Sequence, residues 1–364
     1  MYLVVTCAGL PCPVNTEPQA LPPSPLNDVE QRFARIDTEG EHLTACINGM
    51  IPKPQYRATA TNFLFGLRNH FQGIELLPQP GYLAISGSSK RAAELFIVHL
   101  ASHPPSTGCG GEVVARTTVD EKMSHAGGLS RLGSTLAVPV HGGSPLGAKV
   151  VFYDLAVPEA PRRLSVEIVR PGRKASATAM TRLANGYTLV AIVAQFDGLP
   201  LRLDLYLSRT SVLTDGFLPE PLGWPVSGVE AKPDADRTFN HFQSINFVNQ
   251  ADGRLYLVGF HNTVGPQTVF PGRDYADLYE VVFPNGMIDG ERAVLTKPSI
   301  IKVGSRKFSC TDRFCNFDAA AGLFVDPVTG AMSVYATPGW LDGNTLKITR
   351  FSSRDGEPEP PSAR

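Results

Sequence analysis

Apolar positions in this chain come in short runs, and the runs recur. Tyr82-Leu83-Ala84-Ile85, Leu136-Ala137-Val138, Tyr187-Thr188-Leu189-Val190, Arg254-Leu255-Tyr256-Leu257-Val258 and Ala331-Met332-Ser333-Val334-Tyr335 each follow a small-residue-rich apolar run. In three cases a glycine turn separates the two runs: Asn185-Gly186, Asp252-Gly253 and Thr329-Gly330. Short Val-, Ile-, Tyr- and Phe-rich runs punctuated by such turns predict antiparallel hairpins. The tetrapeptide Asn69-His70-Phe71-Gln72 returns as Asn240-His241-Phe242-Gln243, each time opening a strand-like run. Used as a ruler, it divides the chain into five versions of one unit. Each unit adds a third run, such as Glu94-Leu95-Phe96 or Ala276-Asp277-Leu278-Tyr279. Between units lies a further candidate strand, Glu112–Arg116 or Leu164–Val169. Four strands per unit make a propeller blade. The unit starts, His70, His125, Ser176, His241 and Asp318, are 55, 51, 65 and 77 residues apart, with the excess in Pro- and Gly-rich loops.

The expectation is therefore an all-β fold, a five-bladed β-propeller with four-stranded antiparallel blades around a central channel, closed by an N-terminal strand. An array of immunoglobulin-like sandwiches would need about a hundred residues per unit, more than these units have. Six blades is the competing reading and would need a further copy in Met1–Arg68 or in the long fourth unit, where no convincing one stands. Residues 1–40 read as an irregular segment, broken by Pro11, Pro13, Pro18, Pro22, Pro23 and Pro25, with a short helix over Asp28–Arg35. Residues 41–353 read as a single propeller domain with blades starting near 70, 125, 176, 241 and 318. Residues 41–50 are its closing strand, assigned to the outer edge of the fifth blade, which would otherwise be left open. Residues 354–364 form a Pro-rich, charged tail expected to be disordered. The insertions Gly216–Thr238 and Pro284–Arg313 read as ordered caps between blades, and the loop from His261 to Asp274 as an overhang of the axis.

Composition narrows the partners. The chain has 364 residues, 43% hydrophobic and 18% charged, with a net charge of −1 and no basic stripe. That balance is globular and argues against nucleic acid, leaving a small-molecule ligand or substrate as the expected partner. No apolar run reaches transmembrane length. Met1–Cys7 lacks a basic leader region and reads as an edge strand or the remnant of a truncated leader. Of six cysteines, Cys7 with Cys12 and Cys310 with Cys315 are spaced to close small loops, with free thiols the competing reading. A loop-rich, Lys-poor surface leans towards a soluble, extracytoplasmic or secreted protein.

Candidate chemistry lies at the start of each unit. His70, His125, Ser176, His241 and Asp318 occupy one equivalent position, which on a propeller's first strand faces the axis. Two residues further on, Gln72, Gly127, Thr178, Gln243 and Ala320 form a second layer. Three of the eight histidines thus share one position. His70, His125, His241 and Asp318 are candidate ligands of one divalent transition metal (Zn, Fe or Mn), because imidazole suits such ions. Without a metal, the same four are candidate acid–base catalysts near neutral pH. The competing reading is a plug, in which these side chains bond to backbone and channel water. Gln72, Thr178, Gln243, Ser176 and His261 are candidate ligand-binding residues. Asp277 aligns with Asp204 and Glu94 in the third run, which marks a repeated structural position. Gly-x-Ser-x-Gly, phosphate-loop and His-Glu-x-x-His motifs are all absent.

The repeat resembles five-bladed β-propellers in general, over residues 60 to 353. That resemblance implies a ligand site at one mouth of the channel or between blades, on an architecture shared by sugar-cleaving enzymes, nucleotide-hydrolysing enzymes and lectins. Carried to this chain, the axial version implicates His70, His125, His241 and Asp318. The acidic triad of the sugar-cleaving group is not matched, since only Asp318 holds a tunnel position. Two expectations follow: an enzyme (hydrolase, lyase or cyclase) with an axial His-rich site acting on a small polar or carbonyl-bearing molecule, or a non-catalytic lectin-like or protein-interaction module. Lectin-like sites should recur in every blade, whereas blades three and five break the histidine pattern.

Overall fold

The structure is a computed structural model that describes residues 26–56, 70–100, 109–142, 146–194, 200–226, 228–263, 273–283, 288–289, 292–293, 297–311 and 314–353. Cys7, Cys12, Met1–Cys7 and the 354–364 tail lie outside them.

The described strands are nearly all in mixed or antiparallel sheets, and with the eight-stranded sheet divided at its single parallel contact, Cys46 to Glu112, they fall into five four-stranded groups, referred to as blades. The first consists, from axis to rim, of His70–Leu76, Tyr82–Ser88, Ala93–Leu100 and Gly111–Asp120. The second has an interrupted inner strand (His125–Ala126, then Ser130–Leu132), followed by Thr135–His141, Ala148–Asp154 and Arg162–Arg170. The third is Ala177–Arg182, Thr188–Ala194, Arg202–Leu207 and Leu222–Pro225. The fourth is Ser244–Asn249, Leu255–Asn262, Asp274–Val282 and Ser299–Phe308. The fifth is Ala320–Val325, Met332–Thr337 and Thr345–Ser352, with Glu41–Cys46 as outer strand. Glu41 pairs with Arg350 and Cys46 with Thr345, antiparallel, so the N-terminal strand covers that edge. Cys46 also forms a disulfide with Cys109, at the entry to the first blade's outer strand. Cys310 and Cys315 form a second disulfide.

The runs are apolar at nearly every position, not at alternate ones, because both faces of each blade are buried. Successive side chains on a strand point to opposite faces. Leu83 and Ile85 pack towards the fifth blade while Ala84 packs towards the second. Val151 and Tyr153 face the first blade, Val150 and Phe152 the third. Five apolar clusters result, each shared by two neighbouring blades, and the cluster joining the fifth to the first completes the ring. Leu26, Val29, Phe33 and Ile36 insert into the core between the fourth and fifth blades. Val29 and Phe33 lie on the helix Val29–Ala34, whose first turn is capped by the Asp28 carboxylate accepting from the Gln31 amide.

The two long insertions differ from their reading as caps. Each contains the outer strand of its blade: Trp224 pairs with Leu203, and Ser299–Phe308 pairs with Asp274–Val282. Proline and glycine interrupt these segments often enough to hide a strand's period from the sequence.

The middle of the axis is filled by backbone. Gly128 donates to the Ser176 carbonyl and accepts from the Thr178 amide. A Cβ on Gly128 would lie 2.2 Å from the Gln243 carbonyl oxygen, so only glycine lets the second blade's inner strand come this close to the fourth. Gly322 is as tight: its Cβ would fall 1.9 Å from the Ile74 oxygen. Beyond this filling a cavity opens at the C-terminal ends of the inner strands.

Candidate functional site

The mouth at the N-terminal ends of the inner strands holds the repeated polar positions. His70 and His125 are in edge contact at 5.6 Å between ring centroids, and His125 leans on His141 at 4.2 Å. His141 was not among the sequence candidates. It ends the second strand of its blade and pairs with His125 in register, and its Nδ1 lies 3.0 Å from the Ala175 carbonyl. The residue facing each inner-strand start across the hairpin was the signal that would have found it.

Burial holds the imidazoles neutral. It brings His70 and His141 each down to about 4, the His141 contact with Ala175 opposing and Lys174 assisting. His125 is pushed well below the usual range by burial, then by His141, His70 and Lys174. His241 makes no ring contact with these three among the described residues and has more than a third of its surface open. The protein around it and the charge of Lys174 still lower it. Lys174 therefore acts on three of the four histidines from the loop before the third blade's inner strand.

Asp318 shifts the other way. It is 4% exposed, and burial pushes its carboxyl up to about 7, with Asp274 adding to the rise and a hydrogen bond from Gln243 opposing it. Asp274 itself is held by the Phe317 amide at 2.7 Å and the Asn262 amide group at 3.2 Å. Gly339 packs between the two sides of this mouth, close to the Cβ atoms of His70 and Ala319. Its carbonyl accepts from the Phe71 amide.

Among the described residues several polar atoms are buried without a partner: His70 Nδ1, Gln72 Oε1 and Asp318 Oδ2, and deeper, beside Gly128, Ser244 Oγ. Gln72 sits at a bulge, since Phe71 pairs with Gly87 and Gly73 with Ser86, leaving residue 72 unopposed. Bulges of this kind re-aim a side chain beside a site. Buried polar groups are nearly always satisfied in folded proteins, so this set is arranged for water or a ligand.

The other candidates are placed as follows. Ser176 and Thr178 belong to the seam between blades, and the Thr178 hydroxyl donates to the Ala191 carbonyl at 3.1 Å. His261 points to Asp277, Nε2 to Oδ2 3.2 Å, and stacks on Tyr275. Burial would raise Asp277, but His261, Ser305 and Lys302 outweigh it and bring it down to about 2. Glu94 and Asp204, its counterparts, are likewise buried and paired, to Arg116 and Tyr56 and to Arg170 and Arg202. The repeated third-strand carboxylate is thus an internal ion-pair position. As for metal ligation, no three His, Cys, Asp or Glu side chains among the described residues are arranged to hold an ion. His70 meets His125 edge-on and His125 is tilted against His141, and this geometry gives no support to His70, His125, His241 and Asp318 as a joint ligand set.

No family model matches the chain, and no curated protein matches it. Solved structures do. A Xanthomonas citri enzyme described as GH43_1 is 11% identical with a TM-score of 0.46, covering 79% of this chain and 90% of its own. A thermostable family-43 glycoside hydrolase is 10% identical with a TM-score of 0.44, covering 80% and 96%. The Penicillium chrysogenum alpha-L-arabinanase, solved with arabinobiose, is 12% identical with a TM-score of 0.42, covering 86% and 98%. Likeness at this level does not carry activity from one chain to another.

Proposed function

We propose that the chain is an enzyme performing proton-transfer chemistry on a small polar or carbonyl-bearing molecule at the histidine-bearing mouth. The observation that carries this reading is the set of buried atoms without a partner among the described residues, His70 Nδ1, Gln72 Oε1 and Asp318 Oδ2, on groups whose acidities are pushed apart. Pairs of titratable groups separated in this way mark acid and base roles. Asp318, near 7, is the proton donor to the oxygen of the bond being broken. His70, held neutral down to about 4, takes a proton from water or from carbon beside a carbonyl. His125 and His141 back the base ring, Gln72 and Gln243 orient the substrate, and His241 stands at the entrance. The asymmetry of the mouth favours one catalytic site over five equivalent lectin sites. Two disulfides favour work outside the reducing cytosol.

The test is a hydrolase and lyase panel of esters, lactones and aryl glycosides, run on wild type, Asp318→Asn and His70→Gln. Losing either group should cost about 10²–10⁴-fold in kcat for the substrate that responds. Saturable binding with no turnover anywhere in the panel would make the chain a binding module. Plasma mass spectrometry on the same protein supplies the metal arm. Near-stoichiometric metal, lost in a His125→Ala/His241→Ala variant, would replace acid–base chemistry with metal chemistry at this mouth.

A further inference from the structure

The opposite mouth is also a built site. There the C-terminal ends of all five inner strands surround a cavity of about 1420 Å³, open to solvent. On its floor Glu75, 2% exposed, accepts a hydrogen bond from the Asn246 amide, whose oxygen accepts from the Leu323 amide at 3.0 Å. Arg131 from the second blade lies over the Phe324 ring at 5.1 Å and acts electrostatically on Glu75. Arg182 from the third blade lines the same cavity, and its Nε is buried without a partner among the described residues. Phe247, Leu323 and Val325 supply an apolar wall.

We propose that this mouth is a second ligand site, taking a small oxyanion, a carboxylate or a phosphate, between Arg131 and Arg182 over a floor of Asn246 and Glu75. The charge balance points that way. Burial pushes Glu75 up to about 8 against the pull of Arg131 and Asn246, so at neutral pH it is largely an uncharged acid and a hydrogen-bond donor. Arginine keeps its charge throughout. Two guanidinium groups then face one cavity with no full counter-charge on the floor, which suits bidentate recognition of an oxyanion. Glu75 meets Arg131 from the second blade, Asn246 from the fourth and the Gly322 backbone from the fifth. Further out stand Arg254 and Asp252, paired with each other, and Glu280. Raising the pH through about 8 ionises Glu75, cancels one guanidinium charge and should weaken the anion.

The experiment is calorimetric titration of the full chain with inorganic phosphate and with propionate, at about pH 6 and about pH 9. Saturable binding of either probe at the lower pH is expected, and the probe that binds tells phosphate from carboxylate. Propionate, ionised at both pH values, should bind about tenfold more weakly at the higher, whereas phosphate gains charge across this range and is compared with Glu75→Gln at each pH. Arg182→Gln should lose about tenfold for the probe that binds, while Glu75→Gln should lose the weakening at high pH seen in wild type. Circular dichroism checks folding, and Arg182→Lys substitutes if the glutamine variant is unfolded. His125→Ala, at the other mouth, should bind unchanged. No saturable binding of either probe, or equal affinity in wild type and the folded Arg182 variant, overturns the proposal.

Discussion

At the scale of single residues, two kinds of buried charge do opposite work. Arg170 and Asp204 are fully buried and bonded to each other, joining the second blade's outer strand to the third blade. Removing one partner strands the other in a low dielectric. Asp204→Ala should therefore cost about 3–5 kcal/mol in urea unfolding, whereas a double change to apolar residues of similar size should cost much less. For Asp318 and Glu75 burial outweighs their partners, Gln243 for the first and Arg131 and Asn246 for the second. Their folded-state pKa values lie above the unfolded values, so the native state holds more protons between about 4 and about 7 or 8, and stability falls as pH rises across that window. Asp318→Asn and Glu75→Gln should each be more stable than wild type, by a larger margin at pH 8 than at pH 5, in paired urea titrations. The same groups give the proposed reaction its pH profile. Activity should be bell-shaped between about 4, where His70 is protonated, and about 7, where Asp318 loses its proton. A rate flat across that interval would remove both assignments.

At the scale of elements, the closing strand and the inner strands decide most. Glu41–Cys46 is held by its ladder to Thr345–Ser352 and by the Cys46–Cys109 disulfide, which spans 63 residues of sequence. Cys46→Ser/Cys109→Ser should lower unfolding stability by about 2–4 kcal/mol, read in non-reducing denaturant melts, because the link restricts the unfolded chain. Cys46 and Cys109 share no short spacing, so no local pattern revealed this pair, while the close Cys310 and Cys315 were legible as a loop. The outer strands of the third and fourth blades were hidden for a related reason: their signal lies in which strand they pair with, not in their own composition.

At the scale of the whole molecule, ring closure rests on backbone contact at the axis. Each inner strand meets its neighbours with little side chain between, as at Gly128 and Gly322. Gly322→Ala should cost about 1–3 kcal/mol by overpacking against Ile74, measured as a lowered denaturation midpoint with little change in the far-ultraviolet spectrum. The filled centre separates the two mouths, so substitutions at the histidines and at Arg182 should combine additively in stability.

The repeated pattern of apolar runs and the all-β class were determined by the sequence itself. They depend on local period and on duplication, both of which a linear pattern records. The alternation of each blade between two cores was also implicit, since runs apolar at every position belong to strands buried on both faces. Three things were decided only by the tertiary structure. His141, Lys174 and Asp274 joined the site from three different strands and loops. Gly128 blocked the axis by reaching the fourth blade, more than a hundred residues away in sequence. Glu75, Arg131 and Arg182 met at the far mouth, where burial set the charge of the carboxyl. Burial and long-range proximity are properties of the packed ring, and no stretch of the chain carries them alone.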